Sequence, residues 1–195
     1  MALTEDVLCF LDTETSGLVP GRHRVLEVAA ILTDLAGVEL ARHEQRVLVP
    51  VDHQVDPEAA RVNGYDPVLW GETAKPFSHF AAFLKDQIPY GHAAIPVGHN
   101  VGFDRRMIAE SHYGSAFCPL SYHLIDTVCL AGVLRAARVI DVPNLKLATV
   151  SAALGIPHEK KHRAMGDCEA ARGIFDRCVA LVRAAGLGAT AGLGA

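Results

Sequence analysis

The stretch Cys9-Phe-Leu-Asp-Thr-Glu-Thr-Ser-Gly17 (CFLDTETSG) decides how the rest of the chain is read. It carries on an apolar run, Val7 to Leu11, of the kind found in a central strand covered on both faces, and it then turns acidic. A carboxylate at the end of such a strand costs several kcal/mol unless something compensates it. Side chains two apart on a strand point to the same side, so Asp12 and Glu14 project together. Two like charges this close do not both stay ionised unaided: either one holds a proton or a cation sits between them.

Downstream, Val25 to Thr33 (VLEVAAILT) and Val38 to Val49 read as two further strands joined by a turn at Asp34 to Gly37, an antiparallel meander. From Pro57 onward the period becomes helical, and Phe77, Phe80, Ala81, Leu84 and Ile88 form an amphipathic stripe. A fourth strand at Ala94 to Gly98 leads into a helix through Phe103, Met107 and Ile108. A fifth at Tyr122 to Ile125 runs into a helix from Thr127 to Ala137. Asn144 to Leu154 reads as another helix, stopped by Gly155 and Pro157. The last spans Asp167 to Ala185, with Ala171, Ile174, Phe175, Cys178 and Val182 facing the core. The expected fold class is α/β: a mixed five-stranded sheet, three antiparallel strands followed by strand-helix units, with helices on its faces. One domain over residues 1–185 is expected, followed by a frayed tail, 186–195 (GLGATAGLGA), that has little to bury.

Composition sets the outer bounds. The 195 residues are 50% apolar, enough for one well-cored domain. No run approaches the roughly 18 apolar residues of a membrane span, and Glu5 and Asp6 stand where a signal peptide would be basic. A cytoplasmic protein with no membrane partner is expected. The 5 cysteines contain no C-x-x-C pair and suit reduced core thiols. A formal net charge of −4 disfavours a protein that holds nucleic acid by bulk electrostatics.

Two more acids share the pattern of the first two. In His99-Asn-Val-Gly-Phe-Asp104, Asp104 lies near a helix start on the face of Met107 and Ile108, so it points inward. In His162-Arg-Ala-Met-Gly-Asp167, Asp167 heads the buried stripe of the last helix. Four acids converging at one edge of the sheet call for divalent cations with a preference for oxygen ligands, magnesium or manganese. Together they account for the whole formal charge of −4. Two such ions could clamp the attacking and leaving oxygens of a phosphodiester. His162, in the polar run His158-Glu-Lys-Lys-His-Arg163, could take a proton from the attacking water. A surface histidine, or a zinc pair of His158 with His162, is the competing reading of that run.

These residues resemble the DEDDh 3′-to-5′ exonucleases, a family that includes the epsilon proofreading subunit of bacterial DNA polymerase III, RNase T and oligoribonuclease. Asp12-Thr-Glu14-Thr-Ser-Gly-Leu18 is similar to the first motif, His99-Asn-x-x-Phe-Asp104 to the second and His162-x-x-x-x-Asp167 to the third. The likeness runs from about Val7 to Ala185 and includes Asp126-Thr127 and Asn144-Leu-Lys-Leu-Ala. It implies an RNase H-like fold, with Asp12, Glu14, Asp104 and Asp167 as ligands of two divalent metal ions and His162 as general base. It also implies contacts of Thr13, Leu18, His99 and Phe103 with the terminal nucleotide. Val62-Asn63-Gly64 is similar to a Val-His-Gly segment, which places Asn63 beside them. Asp126 is expected to cap the helix it precedes.

The function expected from these residues is that of a metal-dependent exonuclease releasing nucleoside monophosphates from single-stranded 3′ ends, DNA first and RNA second. A catalytically idle nucleic-acid-binding module and a zinc hydrolase are the alternatives from other classes. Arg22-His-Arg24, Arg105-Arg106 and Lys160-Lys161 are the basic clusters available to grip a strand, which predicts weak, salt-sensitive binding. A stand-alone enzyme, or a homodimer, is expected over a tightly held polymerase subunit.

Overall fold

A computed structural model describes residues 7–111 and 118–186. Of the expected tail, 186–195, residues 187–195 lie outside the described residues. Five strands form one mixed sheet: β1 (Leu8–Thr15), β2 (Val25–Thr33), β3 (Glu39–Arg46), β4 (Ile95–Gly98) and β5 (Ile125–Asp126), in the order β3-β2-β1-β4-β5. β1, β2 and β3 are antiparallel neighbours joined by short connections, whereas β4 runs parallel to β1 and β5 parallel to β4. Parallel pairing needs long crossovers. These hold α1 (Pro57–Asn63), α2 (Pro67–Gly71) and α3 (Ser78–Gln87) before β4, and α4 (Val101–Ser111) before β5. Three helices complete the chain: α5 (Thr127–Ala136), α6 (Leu147–Ala153) and α7 (Ala164–Ala184).

Alternation along β1 sorts its side chains between two cores. Cys9 and Leu11 join Phe80, Leu84, Met107 and Ile108 under α3 and α4, while Leu8 and Phe10 join Ala164 and Cys168 under α7. A third cluster, Ala131, Ile140, Val150 and Ile174, binds α5 and α6 to the outside of α7. The strand is thus buried on both faces, as its unbroken apolar run requires. Asp126 caps α5 as expected, its Oδ1 accepting from the Val128 and Asn100 amides at 2.9 Å each.

Several element boundaries depart from the sequence reading. β1 continues to Thr15, so the two acids lie inside the strand, because β2 still supplies hydrogen-bond partners as far as Val25. β3 is shorter, ending at Arg46, and it is a charged edge strand, a composition that discourages pairing with another chain. The fifth strand is Ile125–Asp126 instead of Tyr122 to Ile125. α6 begins at Leu147, and α7 begins three residues ahead of Asp167. Val182, expected in the core, is 50% exposed, because it continues the Ile174–Cys178 face of α7 past the end of the cluster formed with α5 and α6. All five cysteines are free thiols. Among the described residues no helix is long and apolar enough to cross a membrane.

Gly98 allows β4 to approach β1: a Cβ there would lie 2.6 Å from the Leu11 carbonyl oxygen and 3.0 Å from Val101 Cβ. Replacing Gly98 with Ala should therefore lower stability by ~1–3 kcal/mol, read from the urea midpoint, as overpacking of a close backbone contact does. An unchanged midpoint would show that the strands separate without cost.

Candidate active site

The two faces of β1 deliver the acids. Asp12 and Glu14 continue the Leu8 and Phe10 row toward α7, where Asp167 stands in the first turn. Carboxylate oxygens of Asp12, Glu14 and Asp167 lie within 4.8 Å of one another. Asp104 arrives from the opposite face, on α4, and its Oδ1 accepts from the Thr13 amide at 2.9 Å and the Thr13 hydroxyl at 2.6 Å. Asp104 is 4% exposed.

Burial and mutual repulsion both oppose ionisation here. Asp12 is raised well above the usual carboxylate range, first by burial and then by Asp104, Asp167 and Glu14. Glu14 is pushed from 4.5 up to about 8 by burial, then by Asp167 and by Glu27. Burial pushes Asp104 from 3.8 up to about 7 even though both Thr13 hydrogen bonds pull it back. Oxygen-only donors held together against their own charge fit a hard divalent cation, whose charge would offset both effects.

The proposed base and the nearest imidazole are different residues. His162 is exposed, with a left-handed φ of 57°, at the end of the loop leaving α6. His158, from the same loop, places Nε2 against Asp167 Oδ1 instead, and its Nδ1 is buried with no hydrogen-bond partner. The spacing in the third motif pointed only to His162; a carboxylate partner for His158 had no signal beyond the zinc pairing considered for it.

A cavity of about 340 Å³ adjoins the cluster, lined by Thr13, Glu14, Leu18, Asn63 and Phe103 among others. Leu18 is 78% exposed and Phe103 half-buried, so both present apolar surface to it. Asn63 is buried, donating to the Thr15 carbonyl at 3.2 Å and accepting from the Tyr65 amide at 3.0 Å. His99 stands away from the cavity lining, with Nε2 at 2.7 Å from the Leu145 carbonyl and Nδ1 at 2.9 Å from the Thr127 hydroxyl. Burial lowers its basicity. Of the expected nucleotide contacts, Thr13, Leu18, Asn63 and Phe103 share one cavity and His99 supports β4 and the segment before α6.

Sequence reading missed Glu27. It sits in β2 directly across from Glu14, is 1% exposed, and accepts from the Arg163 guanidinium and the Ala164 amide. A lone acid in the apolar run VLEVAAILT was the available signal, the same one that singled out Asp12.

The chain is similar to known proteins in sequence and in fold. The exonuclease family RNase_T matches residues 9–175. DNA polymerase III subunit epsilon of Treponema pallidum is 25% identical over 172 residues, covering 87% of this chain and 74% of the relative. Oligoribonuclease of Yersinia enterocolitica is 31% identical over 117 residues, 55% of this chain and 64% of that one. In structure, the zinc-bound exonuclease I of E. coli in complex with single-stranded DNA superposes with a TM-score of 0.78 at 23% identity, over 93% of this chain. This chain spans 42% of that exonuclease I chain. The fold and site define a nuclease of RNase H-like architecture. More narrowly, the chain belongs to the exonuclease family, in its DnaQ-like DEDD branch.

The raised acids fix the pH dependence of the metal-free protein. Between 4.5 and about 8 folded Glu14 keeps a proton that the unfolded chain has released, and Asp104 does the same between 3.8 and about 7. Stability in EDTA should therefore fall as pH rises through this window, by about 1.4 kcal/mol per pH unit for each proton retained. Thermal melts at pH 5, 6.5 and 8 would check it; a melting temperature that climbs over this range would contradict the assignment.

Proposed function

We propose that the protein is a divalent-metal-dependent 3′-to-5′ exonuclease that removes nucleoside monophosphates from single-stranded DNA ends. What carries this reading is the contact between the acidic cluster and the apolar-walled cavity. A terminal nucleotide seated between Leu18 and Phe103 would bring its scissile phosphate toward Glu14, which lines the cavity and belongs with Asp12 and Asp167 to the acidic cluster. Asp12, Glu14, Asp104 and Asp167 would hold two magnesium or manganese ions, which supply charge neutralisation of the phosphodiester and activation of water. Without them the cluster would repel the phosphate.

The chain's own groups divide the remaining work. Leu18 and Phe103 offer apolar surface to base and sugar, and Thr13 holds Asp104 in place while lining the same cavity. His162, directly before Arg163 and the start of α7, is the proposed acceptor of the proton from attacking water once its side chain turns toward the cluster. His158 is the second reading for that role, favoured by its contact with Asp167. Replacing His162 with Ala should cut kcat by roughly 10²–10⁴, the usual contribution of a general base, and His158→Ala by much less. The reverse ranking would assign the base to His158.

DNA is preferred to RNA on the wording of the first motif and the epsilon relative, whereas the oligoribonuclease relative supports RNA trimming as the alternative. The test pairs the protein with its Asp167→Ala variant on matched 5′-labelled single-stranded DNA and RNA, in magnesium, manganese and EDTA. Stepwise shortening from the 3′ end, faster on DNA and abolished by EDTA and by the substitution, is expected. Faster RNA shortening would reverse the substrate order. No cleavage in any metal would reduce the protein to a binding module.

A further inference from the structure

The start of α7 has no side-chain cap of its own, because Arg163 occupies the N-cap position. A helix N-terminus leaves backbone donors unsatisfied, and here the partner comes from the sheet: Glu27 Oε2 accepts the Ala164 amide at 3.1 Å. The same carboxylate receives Arg163 bidentately, Nε at 3.0 Å on Oε2 and Nη2 on Oε1. Arg163 is also seated by its surroundings, its guanidinium carbon 5.5 Å from the ring centroid of buried Trp70 on α2. Trp70 in turn has the Arg46 guanidinium 4.8 Å from its centroid, and Arg46 donates to the Leu69 carbonyl at 3.1 Å. Charge and stacking thus tie one residue to β2, to α2 and to the first turn of α7.

Arg163 immediately follows His162 and stands four residues before Asp167. The loop before it turns through left-handed φ values at Gly155 and His162, 70° and 57°, and touches α7 where His158 meets Asp167. Glu27 also faces Glu14 across the β1–β2 pair, where like charges directly opposite are unfavourable unless one is neutralised. The fork answers this too, since the Arg163 guanidinium in contact with Glu27 neutralises one of the two facing acids.

We propose that Glu27 and Arg163 are positioning residues for catalysis: their fork fixes the pivot from which His162 reaches the site, and holds Asp167 in register with Asp12 and Glu14. This inference rests on the exonuclease reading with His162 as the base. A merely stabilising ion pair is the competing account, and replacing the pair separates the two. Exchanging a buried pair for neutral groups of similar volume is often without cost to stability, whereas removing one partner is costly.

The test is the double variant Glu27→Gln with Arg163→Met, which removes the charge pair and keeps a side-chain carbonyl at position 27 to accept the Ala164 amide. We expect a melting temperature close to the wild type. Amide hydrogen exchange across residues 156–166 should be at least about 10-fold faster, with the rest of the sheet unchanged. At saturating manganese, kcat should drop about 10²-fold, the scale of a 1 Å misplacement, with KM changed less than about 3-fold. Arg163→Ala alone should lose activity and regain part of it in methylguanidinium. A folded double variant with wild-type exchange and wild-type kcat overturns the proposal, as does a kcat loss that only tracks the fraction unfolded. Faster exchange with no change in kcat also overturns it, by showing a pivot that catalysis does not use. A wild-type protein that cleaves nothing fails the exonuclease reading itself, and the hydrogen-exchange result then separates that failure from a failure of the fork to hold the loop.

Discussion

Like-charge crowding inside a buried strand shapes this molecule. Asp12 and Glu14 lie in the C-terminal half of β1, where neighbours on both sides bury them and Asp104 and Asp167 add to the repulsion. A fold tolerates such a cluster only where protons or cations discharge it. The surrounding architecture serves that end: β2 and β4 flank the strand, α7 covers one face and α4 the other. Each helix brings one more carboxylate in its first turn, where the helix dipole favours negative charge.

The same arrangement explains how an ordinary α/β domain acquires a chemical edge. Alternation in β1 sends Asp12 and Glu14 toward α7 and Thr13 toward α4, so the site is assembled from both faces of the sheet instead of one. Thr13 is the hinge of that assembly, since it holds Asp104 by both backbone and hydroxyl while bordering the cavity that Leu18 and Phe103 wall. Small residues keep the distances short: Gly98 lets β4 close on β1, and Gly166 lets α7 pass the Lys160 backbone, which a Cβ there would meet at 2.2 Å.

Much of this was legible in the chain. The apolar run and its two acids marked the central strand, the period-2 segments marked the meander, and the three motifs marked the four carboxylates and the family. Residues in the sheet's interior and on helix stripes announce themselves because burial leaves a periodic mark. What stayed hidden is non-periodic. Strand ends depend on the partner strand's reach, which is why β1 outran its apolar run and β5 shrank to two residues. The pairing of Glu27 with Arg163 joins positions 136 residues apart, and only register across β1 and β2 shows that Glu27 faces Glu14. The contact between His158 and Asp167 depends on the course of an irregular loop, for which spacing carries no rule.

On this account the carboxylate cluster is a cation site whose metal-free form holds protons in the metal's place. Calorimetric titration of manganese into the folded protein at pH 7, repeated in buffers of different ionisation enthalpy, measures both binding and the protons it displaces. The account predicts saturable binding of two ions per chain with net proton release, lost when Asp12 is replaced by Asn. Absence of saturable binding by the folded wild-type protein would contradict it and leave the buried acids without a compensating charge.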